Sequence, residues 1–144
     1  MKINYNIGGS RGDIALTVKV QIGFLTKGTT NYNGNSHESL FIRGKLVEDV
    51  VRGQFVGLDK DYNILTNFIV EDVIKTGFIL ENCKADVFEP KYMAILTTGI
   101  VYTKDTGVIG STVYFNKEVV TSDVSDYTLF GSIYIDSNII RVGI

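Results

Sequence analysis

The sequence predicts an all-β fold: a small barrel or sandwich of about ten short strands, led by an extended N-terminal arm. Three observations carry that expectation. Val, Ile and Thr supply 46 of the 144 residues while Ala and Leu supply 12, a balance that starves helices and suits a pleated, half-buried surface. Apolar residues alternate with polar ones over several segments, and Gly, Asp and Asn interrupt the chain at short intervals. With 44% apolar residues the chain can enclose one core. The expected organisation is an arm over residues 1–13 and a single β domain over residues 14–144.

The arm reads as extended because Asn4, Asn6, Gly8, Gly9, Ser10 and Gly12 surround two aliphatics, Ile3 and Ile7. The strongest strand signal follows. Ile14, Leu16, Val18, Val20, Ile22 and Phe24 alternate with Ala15, Thr17, Lys19, Gln21 and Gly23, as on a strand with one buried face. Residues 26–39 (with Gly28, Asn31, Asn33, Gly34, Asn35, Ser36 and His37) have turn formers and almost no aliphatic anchor, which predicts a long exposed loop suited to touching partners. Further strands are expected around residues 40–47, 54–58, 63–70, 78–80, 85–88, 93–97, 100–103, 112–115, 119–121, 129–135 and 139–142. For Glu48–Arg52 and Glu71–Lys75 a helical turn and a strand fit equally. These last two segments belong to an internal likeness: Leu46-Val47-Glu48-Asp49-Val50-Val51-Arg52 with Phe55-Val56 matches Ile69-Val70-Glu71-Asp72-Val73-Ile74-Lys75 with Phe78-Ile79. Two copies fall short of a solenoid, so they read as similar strand and turn units of one barrel.

Charge and composition narrow the chemistry. The net charge of −2 gives no pull toward nucleic acid or an anionic bilayer. One cysteine, Cys83, rules out an internal disulfide, no apolar run reaches the roughly 20 residues of a membrane span, and no Asn-x-Ser/Thr sequon occurs. The expectation is a soluble protein made in a reducing compartment, without membrane, cofactor or metal. His37 and Cys83 are too few ligands for zinc. As a catalytic base His37 would need fixed, partly buried surroundings, and its polar tract reads as a solvated loop. Cys83, near Phe78, Ile79 and Leu80, reads as a small core residue. Arg11-Gly12-Asp13 spells a tripeptide that integrins recognise, but here it reads as a turn before the first strand. No phosphate-cradling glycine motif is present.

Asp59-Lys60-Asp61-Tyr62-Asn63 copies the first positions of a calcium loop, then fails where Ile64 takes the glycine position and Val70 the bidentate carboxylate position. The same stretch, with Gly53, Phe55, Gly57, Asp59 and Asn63 before Ile64-Leu65, resembles the first motif of Sm-like RNA-binding proteins. That resemblance implies a strand-to-strand loop in which Asp59 and Asn63 meet a base. The second motif of that family has no partner downstream, and Arg43-Gly44 lies upstream of the first.

The last third is the most informative. Ile95-Leu96-Thr97-Thr98-Gly99-Ile100-Val101-Tyr102 leads to Gly110-Ser111-Thr112-Val113-Tyr114-Phe115 and Lys117-Glu118-Val119-Val120-Thr121. A polar turn then precedes Leu129-Phe130-Gly131-Ser132-Ile133 and Ile140-Arg141-Val142. This order resembles the head decoration, or capsid cement, proteins of tailed bacteriophages; Ser132 stands where that family has a small apolar residue, and the region before Lys84 has no counterpart. The resemblance implies a non-enzymatic virion protein on the phage head surface, assembled in the bacterial host cytoplasm. It implies bridging of major capsid protein subunits, in a homo-oligomer, and neighbouring roles in a head fibre, tail or baseplate adaptor need the same kind of sequence. The residues expected to meet the capsid are Ile3, Tyr5 and Ile7, at alternate positions of the arm, with Asn31, Tyr32, Asn33 and His37 of the polar tract.

Overall fold

A computed structural model describes residues 2–6, 15–19 and 25–143, with side chains from Lys27 onward. The described residues are all-β apart from a single 3₁₀ turn at Val70–Asp72. The strands are β1 (Lys2–Asn6), β2 (Ala15–Lys19), β3 (Leu25–Tyr32), β4 (Asn35–Leu46), β5 (Phe55–Leu58), β6 (Asn63–Leu65) and β7 (Lys75–Ile79). They continue as β8 (Lys91–Tyr102), β9 (Thr112–Asn116), β10 (Val119–Thr121), β11 (Tyr127–Asp136) and β12 (Ile139–Val142). They join into one sheet in the order β1-β2-β3-β4-β6-β5-β7-β8-β12-β11-β9-β10, and an added pairing of β4 with β8 closes its middle into a five-stranded ring. All pairings are antiparallel except β4 with β6.

The two 12-residue strands, β4 and β8, explain the architecture. One end of each belongs to the closed ring and the other to the open sheet. On β4 the neighbour changes from β3, which ends its pairing at Ile42, to β6, which begins at Lys45. On β8 it changes from β7, paired at Ile95 and Leu96, to β12, paired from Gly99. Between them β8 carries one extra residue, Thr97, because Leu40 pairs with Thr98 and Phe41 with Leu96. The Thr97 hydroxyl donates to the Leu40 carbonyl at 3.2 Å. A bulge there bends the strand just where the barrel opens.

Alternation then sorts the aliphatic side chains into two cores. Val56, Leu58, Ile64, Ile79, Met93 and Ile95 fill the barrel, together with Leu46 and Val50. Gly44 keeps this interior closed, since a Cβ there would lie 2.7 Å from Ile64 Cγ1 and press on Leu58 as well. The second core lies outside the barrel wall, where the C-terminal strands fold across β5 and β7. Phe55 sits 5.7 Å, 5.0 Å and 5.1 Å in ring-centroid distance from Phe68, Phe78 and Phe115, and Tyr127 stacks on Phe115. Strand β5 is therefore buried on both faces.

Several expectations need correction. The polar tract at residues 26–39 is not a loop but most of a long hairpin, β3 and β4, turned at Asn33-Gly34 with φ of 51° and 77°. Two successive left-handed residues make the tight turn whose twist matches paired strands, and backbone pairing needs no apolar side chains. Strands expected at residues 93–97 and 100–103 are one strand, β8, running through Gly99. The strand expected at residues 63–70 stops at Leu65, and the one at residues 85–88 is an exposed loop. Glu48–Arg52 forms no helical turn; Val50 bridges to Cys83 instead. The expected arm is extended over its described residues, which form β1 and pair with β2.

Candidate interaction site

An open groove of about 650 Å³ runs between the barrel and the C-terminal sheet. One wall is the 3₁₀ turn and the start of β7, with Val70, Val73 and Ile74; the other is β11, with Leu129 and Phe130; Phe55, Phe78 and Phe115 lie beneath. Two irregularities make the opening. Lys75, Thr76 and Gly77 pair with β5 on one side only, since β8 pairs with just Phe78 and Ile79 before passing to β12. Opposite them, β11 bulges: five steps from Thr128 to Ile133 face two steps on β9, leaving three extra residues. The bulge pushes Phe130 out to 80% exposure. The Tyr127 hydroxyl donates to Glu71 Oε1 at 2.9 Å and ties the walls together. Glu71 as acceptor does most to hold that phenol above its usual pKa, followed by burial and by the charges of Glu71 and Asp126.

The outer edges of the sheet differ. At the β10 end the Asp105 carboxylate accepts the Val120 N–H at 3.2 Å and the Ser122 hydroxyl accepts the Val108 N–H at 3.0 Å, so the connection from β8 to β9 covers the edge. At the other end no described residue pairs with the outer edge of β1. Ile3 and Tyr5 lie on β1, where the backbone alone is described; Ile7 and Arg11-Gly12-Asp13 lie outside the described residues. Asn31 and Tyr32 end β3, and Asn33 forms the turn, all three at the tip of the β3–β4 ribbon.

His37 is not in a solvated loop. It is half-buried on β4 opposite Thr30, at the rim of a smaller cavity of about 320 Å³ with Glu38 and Arg141. The tight turn at Asn33-Gly34 puts it there. Beside it the buried hydroxyls of Thr30 and Ser39 are 3.0 Å apart, and Thr30 Oγ1 accepts the Ile100 N–H at 3.4 Å, so a small polar joint seats the ribbon on β8. Cys83 is half-buried against the barrel core and exchanges two backbone hydrogen bonds with Val50.

Asp59 and Asn63 do occupy a strand-to-strand loop, between β5 and β6, and they bind each other. Asp59 Oδ1 accepts the N–H groups of Asp61 and Asn63, each at 2.9 Å, and Oδ2 accepts Asn63 Nδ2 at 3.1 Å. Partial burial raises the Asp59 pKa, but the donors from Asn63 and Asp61, with the Lys60 charge, outweigh it and leave it below its ordinary value. These contacts commit the carboxylate to the turn. Among the described residues no group of three or more His, Cys, Asp or Glu is placed to hold a metal, and no helix is long and apolar enough to cross a membrane.

The groove and one other feature escape the sequence pattern. Val87 and Phe88 are 91% and 93% exposed at the tip of the loop before β8. A readable signal was present: Lys84, Asp86, Glu89, Pro90 and Lys91 bracket them with charges and a turn former. No family model, curated protein or solved structure matches the chain.

Proposed function

We propose that this chain is a non-enzymatic structural protein of a tailed-phage virion, a head decoration protein that bridges major capsid protein subunits. The observation that carries the reading is the sheet's asymmetry: the edge at β10 is covered by the connection from β8 to β9, through Asp105 and Val108, while β1, five residues long, ends the other side. An open strand is a template for adding a strand from another chain, where backbone bonds give affinity and alternate side chains give selectivity. Ile3, Tyr5 and Ile7 at alternate positions suit that use. The resemblance of residues 95–144 to decoration proteins supports the same reading. That stretch spans most of β8 and all of β9 to β12, the strands that cover the barrel wall.

Co-sedimentation with purified phage heads tests it. The full chain should sediment with heads, and a chain lacking residues 1–10 should fold but stay in solution. Undiminished binding after that deletion would refute the role of β1. Binding to oligo-U that falls steeply with salt, in place of head binding, would favour the Sm-like reading.

A further inference from the structure

We propose that copies of this chain associate by seating the Val87-Phe88 tip of one copy in the groove between β7 and β11 of the next. The tip is a built feature. Asp86 Oδ1 accepts the Phe88 N–H at 2.9 Å and the Glu89 N–H at 3.4 Å, the Ala85 N–H donates to Asp49 Oδ1 at 2.9 Å, and Lys91 Nζ donates to the Lys84 carbonyl at 2.9 Å. Four side-chain hydrogen bonds thus hold in place a loop whose two apolar residues stand almost wholly in water. Aromatic residues fixed and exposed in this way are what interface anchors look like before they find a pocket.

The groove supplies the pocket, being apolar beneath and rimmed by the exposed Ile74 and Phe130. A chain cannot fill its own. Lys91, which opens β8, lies three residues past Phe88, and Thr97, the β8 residue that lines the groove, is six residues further along the strand and so roughly 20 Å away. Charge also matches. Lys84 and Lys91 flank the tip, while Glu71 and Asp72 of the 3₁₀ turn and Asp126 stand about the groove mouth; of the two acids on the tip, Asp86 is engaged by the Phe88 and Glu89 N–H groups and Glu89 has Lys75 of the groove to face. Because tip and groove are different surfaces, the contact is heterologous and builds a ring, or a string where the rotation does not close.

This proposal rests on the reading above only in its oligomeric part, and its test uses the purified full chain without heads, so either can fail alone. Light scattering should show a wild-type mass above that of the monomer, rising with concentration. Phe88→Asp and Ile74→Asp alter exposed positions, so both should keep the wild-type circular dichroism, and each alone should be monomeric. Their equimolar mixture should show twice the monomer mass, because one intact tip and one intact groove remain. A wild type that is monomeric at every concentration overturns the proposal, as does either variant associating like the wild type. Flotation of a monomeric wild type with phosphatidylcholine–phosphatidylglycerol vesicles, lost in Phe88→Asp, would make lipid the occupant and also overturn it.

Discussion

Phe55 and Phe78 face each other across β5 and β7, and they hold the same place in the two copies of the internal repeat, 23 residues apart. The repeat thus delivers two adjacent antiparallel strands whose next residues, Val56 and Ile79, both point into the barrel. The flanks diverge: Val50 of the first copy bridges to Cys83, while its counterpart Val73 follows the 3₁₀ turn and lines the groove.

Replacing either Phe55 or Phe78 by Ala should cost about 3–5 kcal/mol in urea-melt stability, as a buried ring is lost and a cavity left. The double variant should lose measurably less than the sum of the two, because the rings touch and share neighbours. Strict additivity would separate the two sites.

Gly44→Ala should destabilise by about 1–3 kcal/mol, since the new methyl meets Leu58 and Ile64 inside a closed ring that has no slack. A companion Ile64→Val change that recovers part of the loss in a denaturant melt would show that crowding at this point is the cause.

Asp59→Asn should lower stability by about 1 kcal/mol at neutral pH. The Asp59 pKa is depressed in the fold, so its contribution is present above the unfolded value near 3.8 and fades as pH falls through the folded one. The difference between wild type and variant, measured by melts from pH 7 down to about pH 3, should therefore shrink on the acid side.

Tyr134 is wholly buried, and its hydroxyl has no hydrogen-bond partner among the described residues. Burial, with the Asp105 charge, pushes its pKa up to about 12. Tyr134→Phe should be neutral or mildly stabilising near pH 7, since it removes an unpaired buried group. The raised value means that the neutral phenol's contribution holds below an unfolded pKa near 10 and is lost as pH rises toward 12. Thermal melts of the wild type should fall over that alkaline window more than those of the variant.

The strands with one wet face were readable because burial there follows a period of two. The ranges expected for β10 and β12 were right to the residue, and that for β9 was within one. What stayed hidden depended on contacts that the local pattern does not encode. Strand β5 is covered on both sides, so its run of four buried residues has no alternation to read. The β3–β4 ribbon is polar on its outward face and is set by Asn33-Gly34, a dipeptide whose turn geometry mattered more than the lack of aliphatics around it. Met93–Thr97 and Ile100–Thr103 looked separate because Gly99 breaks the apolar run, yet the strand passes through it with Ser39 packed where a side chain would stand. The groove arises from two strands parting and a third bulging, which are events of pairing and have no signature in hydropathy.

The Asp105 contact at β10 gives the molecule a direction. A strand laid against β1 would join a sheet whose far side refuses another, so docking by this route is a single step that ends where it begins. Through this edge alone, a layer built from such units would be counted out by the sites offered to it.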